Sequence, residues 1–139
     1  MKTLASLLPD RAAAVAASLG FLAIASFQAA LALGAPLGRA AWGGTRTDLP
    51  VSLRIASGVA IAAWLFAASI VLGRVGIDVV PLPADFLRWG AWVLVGILAI
   101  GALMNFASQS PWERFLWGPV GVVLALLTLA IARSPRSPV

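Results

Sequence analysis

The sequence predicts an all-α fold: a four-helix transmembrane bundle running up-down-up-down, built as one domain across positions 1–139. Two observations carry this expectation. Hydrophobic residues fill 61% of the positions and charged ones 11%, against about 45–50% and about 25% in ordinary soluble domains. The few charges also fall in clusters, leaving four uncharged stretches that each approach the roughly 20 residues needed to cross about 30 Å of hydrocarbon.

The first stretch lies between Arg11 and Arg39, with an apolar body from Ala12 to Leu33. The second runs from Ile55 to Leu72 between Arg54 and Arg74, the third from about Leu87 to Phe106 between Arg88 and Glu113, and the fourth from Phe115 to Ala132 between Arg114 and Arg133. With flanking turns added, the helices are expected at about 9–33, 50–73, 83–107 and 111–133. The first stretch is longer than the roughly 7 to 15 residues of a signal-peptide core, and Pro36 directly after Ala35 suits cleavage poorly. It is therefore read as a retained helix.

Each helix start pairs a proline with a nearby acid and a following arginine: Pro9-Asp10-Arg11, Asp48-Leu49-Pro50 then Arg54, Pro83-Ala84-Asp85 then Arg88, and Ser110-Pro111-Trp112-Glu113-Arg114. Acids there interact favourably with the helix dipole by roughly 0.3–1 kcal/mol, so Asp10, Asp48 and Asp85 are read as capping residues. The last start has the form of a capping box, with Ser110 as cap, Pro111 in the first turn and Glu113 reaching back. Further along, Gly118-Pro119 should bend the fourth helix, because proline removes a backbone bond.

Nine arginines and one lysine stand against five acids, while cysteine and histidine are absent. Disulfides, thiolate or imidazole chemistry and the commonest transition-metal ligands are therefore excluded, and no cofactor is implied. The basic excess is clustered rather than striped, which argues for membrane orientation and against nucleic acid. With four spans, Lys2, Arg11, Arg74, Arg88, Arg133 and Arg136 lie on the side of the termini and Arg39, Arg46, Arg54 and Arg114 on the other. That imbalance predicts cytoplasmic termini. Trp89, Trp92, Trp112, Trp117 and Trp42 fall at interfaces, whereas Trp64 falls near the bilayer centre and should face neighbouring helices.

Helices in lipid associate through close packing and hydrogen bonds. Contacts are expected at Ala12, Ala16 and Gly20 in the first helix, at Gly58, Ala62, Ala63 and Ala67 in the second, and at Gly96, Gly101 and Ala102 in the third. The fourth, richer in Val and Leu, should show the most surface to lipid.

Polar side chains within spans are costly unless paired. Gln28 and Asn105 both fall at the end opposite the termini, together with Arg39, Trp42, Arg54, Ser57, Glu113 and Arg114. Two arrangements are open. In one, Gln28 bonds Asn105 across helices and Arg54 or Arg114 pairs with Glu113, giving a hydrogen-bonded plug. In the other, Arg39, Arg54 and Arg114 hold an anionic headgroup or carboxylate at helix N-termini.

Taken together, Phe27-Gln28, Gly34-Ala35-Pro36-Leu37-Gly38, Ala41-Trp42-Gly43-Gly44, Leu49-Pro50 to Leu53-Arg54, Met104-Asn105 to Ser110, Glu113-Arg114 and Trp117-Gly118-Pro119 resemble a family of small, functionally uncharacterised bacterial four-helix integral membrane proteins. The resemblance covers most of the chain and implies a bacterial inner membrane, but no activity. The function expected from the residues is non-enzymatic binding of an anionic lipid or another membrane protein, with a homo-oligomer allowed. The alternative is a subunit of a small oligomeric transporter or channel; against it, no acid lies within a predicted span. Without His, Cys or Tyr, an enzyme would have only Glu113 for acid-base work.

Overall fold

Every charge-free stretch forms a helix in the computed structural model, which describes residues 4–135, with side chains from position 9 onward. Helix α1 spans Leu4–Ala32, α2 Val51–Arg74, α3 Ala84–Ala107 and α4 Gly118–Arg133, and no strand occurs among the described residues. A π-turn, Glu113–Trp117, leads into α4. All four helical segments are long and apolar enough to cross a membrane. A stretch of 24 residues such as Val51–Arg74 extends about 36 Å at about 1.5 Å per residue, which is long enough to cross the hydrocarbon without a charge at its centre.

Helix α1 begins five residues ahead of the proline expected to start it. Pro9 lies inside the helix, in its second turn, where the missing N–H removes one backbone bond. Asp10 consequently does not cap α1. Its carboxylate accepts the hydroxyl of Ser134, just beyond α4. Asp48 is exposed, and Pro50 precedes α2 without a side-chain cap bond. Asp85 does sit in the first turn of α3, where it meets Arg88 at 3.5 Å on the surface.

Contacts between helices fix their directions. Phe21 of α1 stacks on Trp64 of α2, with ring centroids 5.6 Å apart, and Arg54 Nε at the start of α2 donates to Ala32 O at the end of α1 over 3.1 Å. Leu87 and Ile70 lie against Gly73 and Gly90 where α2 ends and α3 begins, while Phe106 and Ala102 lie against Gly118 and Gly121 where α3 ends and α4 begins. Leu124 of α4 covers Gly20 of α1. Sequence neighbours thus meet antiparallel. One end of the bundle gathers Asp10, Arg74 and Ser134; the other gathers the α1–α2 loop and the α3–α4 turn.

Two interhelical arginine contacts reach backbone carbonyls at helix ends. Arg74 Nη2 donates to Ala132 O at 3.3 Å and Ser134 O at 2.5 Å, serving α4's carbonyl end as Arg54 serves α1's. Those carbonyls lack intrahelical partners and carry the negative end of the dipole. Gly34 and Gly76, with φ of 94° and 79°, close α1 and α2 through Ala35 N to Ala30 O and Ile77 N to Leu72 O. Left-handed glycines terminate helices in this way.

The core is formed by Ala14, Ala17, Phe21, Val71, Leu94 and Leu124 with their neighbours. Trp64 packs against it, as its depth predicted. The small-residue expectation needs correction. Ala12, Ala16, Ala62 and Ala63 are exposed while Ala14 and Ala17 are fully buried, and Gly58, Gly96 and Gly101 face open space. Gly20, Ala67 and Ala102 do pack. Helix α3 also shows more surface than α4: 22% of its span is buried, against 28% for the last span.

Two glycine substitutions separate contact from void. A Cβ on Gly38 would lie 2.4 Å from Arg46 O and 2.7 Å from Thr47 O, so Gly38→Ala is expected to destabilise by about 1–3 kcal/mol. Gly58→Ala, with open space around it, is expected to be neutral or stabilising by up to about 1 kcal/mol. Denaturant unfolding in detergent micelles, followed by circular dichroism, measures both; equal costs would contradict this packing.

Candidate functional site: a cavity under the α1–α2 loop

The α1–α2 loop folds back over the end of the bundle. It begins with a short 3₁₀ turn, Gly38–Ala40, and Gly38 N donates to Thr47 O over 2.9 Å. Trp42, Gly43 and Gly44 follow with φ of 51°, 84° and 68°. Glycine adopts this region freely, but for tryptophan it costs on the order of 1–3 kcal/mol and persists only where surroundings impose it. They do so here. Trp42 Nε1 donates to Ser57 Oγ of α2 over 3.1 Å, and the next residue, Gly43, donates its N–H to Glu113 Oε1 over 3.1 Å.

Glu113 is buried and at the centre of a knot that joins this loop to the α3–α4 turn. Its second carboxylate oxygen accepts the hydroxyl of Ser108, whose Oγ in turn accepts Ser110 N at 3.1 Å. Ser110 Oγ accepts Glu113 N at 3.3 Å and donates to Arg39 O at 2.6 Å. The predicted capping box is therefore half present. Ser110 serves the Glu113 N–H as expected, but Ser108 takes over the reciprocal bond to Ser110, freeing the carboxylate to hold Gly43. Trp117 Nε1 adds a bond to Ala40 O at 3.0 Å, and its ring meets Phe27 at 5.0 Å.

The π-turn makes this arrangement possible. Gly118 N bonds Glu113 O, and Pro119 has no N–H to give, so the backbone takes an i to i−5 step ahead of the proline. The π-turn immediately precedes the Gly118-Pro119 pair at which a bend was expected. Gly118 is buried beneath Phe106.

Beneath the loop lies a partly open cavity of about 860 Å³. Trp64, Leu98 and Leu124 line it as well as Trp42, Glu113 and Trp117; the first three lie deep in their spans and the others at the loop end. This volume falls in the range of small-molecule sites, roughly 300–1,000 Å³. It arises because the α2–α3 contacts described above all fall at the Arg74 end, while Gly58 and Gly101, toward the other end, meet no neighbour. Gln28 and Asn105 line the cavity too. Gln28 Oε1 is buried and accepts no hydrogen bond, a condition that costs about 1–3 kcal/mol when nothing fills the site.

The sequence-predicted cluster thus divides in two. Gln28, Trp42, Asn105 and Glu113 line the cavity; Arg39, Arg54, Ser57 and Arg114 do not. Arg39 donates to Thr47 Oγ1 and Gly44 O, Arg54 to Ala32 O, Arg114 to Ser108 O over 2.9 Å, and Ser57 accepts from Trp42. Neither feature of the plug forms: Gln28 and Asn105 share no hydrogen bond, and Glu113 pairs with neither Arg54 nor Arg114. Backbone amides and carbonyls supply those partners instead. Sequence reasoning missed Phe27, Trp64 and Trp117 as cavity walls; the pairing of Phe27 with Trp117 where α1 ends and α4 begins was the available signal.

Searches against family models, curated proteins and solved structures return no match to this chain.

Removing the Ser110 hydroxyl deletes two bonds of the knot. Ser110→Ala is expected to destabilise by about 1–3 kcal/mol and to speed amide exchange at Gly43 and Gly44 relative to α2. Hydrogen exchange read by mass spectrometry measures the second effect; unchanged loop exchange would mean that the knot does not hold the loop.

Proposed function

We propose that this protein is a non-enzymatic, multi-pass membrane protein that binds an amphiphilic molecule in the cavity beneath its α1–α2 loop. The observation that carries the reading is the unmet acceptor of Gln28 at the wall of a cavity about 860 Å³ in volume. A buried carbonyl oxygen of this kind is stabilised by a donor from outside the chain. The lining combines an apolar deep end with a polar mouth, which matches an amphiphile whose tail points toward the bilayer centre. The arginines proposed to grip an anionic headgroup already bond backbone carbonyls and lie outside the walls. Anionic lipid is thereby the less favoured ligand.

The resemblance noted above and the basic residues favour a bacterial inner membrane with both termini in the cytoplasm. The cavity mouth then faces the periplasm. Because the chain contains no cysteine, single cysteines report topology without background. Pro135→Cys should resist a membrane-impermeant maleimide in intact cells while Thr45→Cys is labelled, and the opposite pattern would reverse the orientation.

Filling the cavity tests the binding itself. Gly101 lines it with no neighbour within reach of a Cβ, whereas Gly96, equally open, faces outward on the same helix. Native mass spectra of protein released from mild detergent should show an amphiphile adduct in the wild type and in Gly96→Phe. In Gly101→Phe the adduct should fall at least about fivefold. An identical adduct in all three would remove the cavity as its seat.

A further inference from the structure

Resting on that reading, we infer that the cavity selects lipophilic cations: its ligand carries a protonated or quaternary amine, or a comparable delocalised positive charge, on an apolar body. The inference begins with a charge that the chain leaves uncompensated. Glu113 is only 8% exposed, yet its carboxylate is held by two neutral donors, the Gly43 N–H and the Ser108 hydroxyl. No Lys or Arg among the described residues forms an ion pair with it. Buried charges in proteins are ordinarily paired with an opposite charge or bound to a cation, because leaving water costs several kilocalories per ion.

The remaining walls point to the same occupant. Among the described residues Glu113 is the sole charged one lining the cavity, and no Arg or Lys contributes. Phe27, Trp42, Trp64 and Trp117 line it as well. Aromatic faces attract cations through the ring quadrupole, tryptophan most strongly, and the attraction grows when the cation is desolvated. A cavity lined by one carboxylate and three indoles is therefore complementary to a lipophilic cation and repels an anion of the same shape. The unmet Gln28 oxygen reinforces this polarity, since it presents the negative end of an amide dipole to the ligand. The guanidinium groups of Arg39 and Arg114, by contrast, are turned to carbonyls of the surrounding loop and turn, so positive charge frames the knot from outside without entering the cavity.

The test compares three probes of similar bulk and different charge: tetraphenylphosphonium, neutral triphenylphosphine oxide and tetraphenylborate. Binding is measured by equilibrium dialysis against the full-length protein in phosphatidylcholine nanodiscs, with binding to empty nanodiscs subtracted. The phosphonium is expected to bind saturably and at least about tenfold tighter than the oxide, and the borate not to bind above background. Glu113→Gln keeps an acceptor for Gly43, though not one for the Ser108 hydroxyl, and should bring the phosphonium down to the level of the oxide.

Equal binding of cation and oxide by the wild type would overturn the charge selection, and so would a preference that survives Glu113→Gln. Absence of saturable binding by any probe would overturn it as well. None of these outcomes alters the adduct measurement with Gly101→Phe, which decides separately whether the cavity binds an amphiphile. The wild-type comparison across charges stands even if Glu113→Gln unfolds.

Discussion

The carboxylate of Glu113 is the junction on which this end of the molecule depends. Within a few ångströms it joins the α1–α2 loop, through Gly43, to the turn between α3 and α4, through Ser108. Without that junction, a loop with three consecutive left-handed residues would lose one of the contacts that imposes its conformation. Its neighbours depend on the same geometry. Ser110 can donate to Arg39 O only while the loop lies over the turn, and Gly44 must lack a side chain because a Cβ there would lie 2.5 Å from that of Ser110. The Trp-Gly-Gly sequence and the Ser-Gln-Ser-Pro turn are therefore two halves of one fitted surface.

The two ends of the bundle are closed by different means, and the difference makes room for the cavity. At the Arg74 end, leucine and isoleucine fill against glycine between α2 and α3, and Arg74 binds α4's terminal carbonyls. Side chains there occupy the bundle axis. At the loop end Gly58 of α2 and Gly101 of α3 meet nothing, and closure there is left to the overlying backbone of residues 38–47. Helices in lipid gain little from excluding water, so an unfilled interior between them is tolerated provided its polar groups are served. The π-turn contributes by placing the glutamate toward the loop rather than toward lipid.

The spans were legible in the sequence because a charge at the bilayer centre costs several kilocalories, which leaves a clean negative imprint: long intervals without one. Which polar residues gather at one end followed from direction alone, and Gln28, Trp42, Asn105 and Glu113 do line one cavity. Pairing was not legible. Arg54, Arg74 and Arg114 bind backbone carbonyls, and a carbonyl has no sequence signature. Small residues misled for a related reason. Gly58, Gly96 and Gly101 look like contact positions, yet a missing side chain marks only absent volume; a neighbour fills it at Gly20 and Gly73, and none does at those three. The start of α1 was misplaced because a proline at the first turn and one in the second turn look alike when leucines precede both.

The same distinction between filled and unfilled volume bears on the absence of a charge partner for Glu113. Had the site been only structural, an arginine from the four on this side would have lowered the cost of burial, and Arg39, Arg54 and Arg114 all lie within the same loop-and-turn region. Each instead serves carbonyls at helix ends or in turns, where a guanidinium satisfies acceptors that have no other donor. Replacing Glu113 by glutamine would keep the Gly43 bond and avoid the cost of a buried charge, at the loss of the acceptor for the Ser108 hydroxyl. Glu113 also lines the cavity, so a charge that no cation among the described residues pairs with lies at the wall of the one space able to admit such a partner.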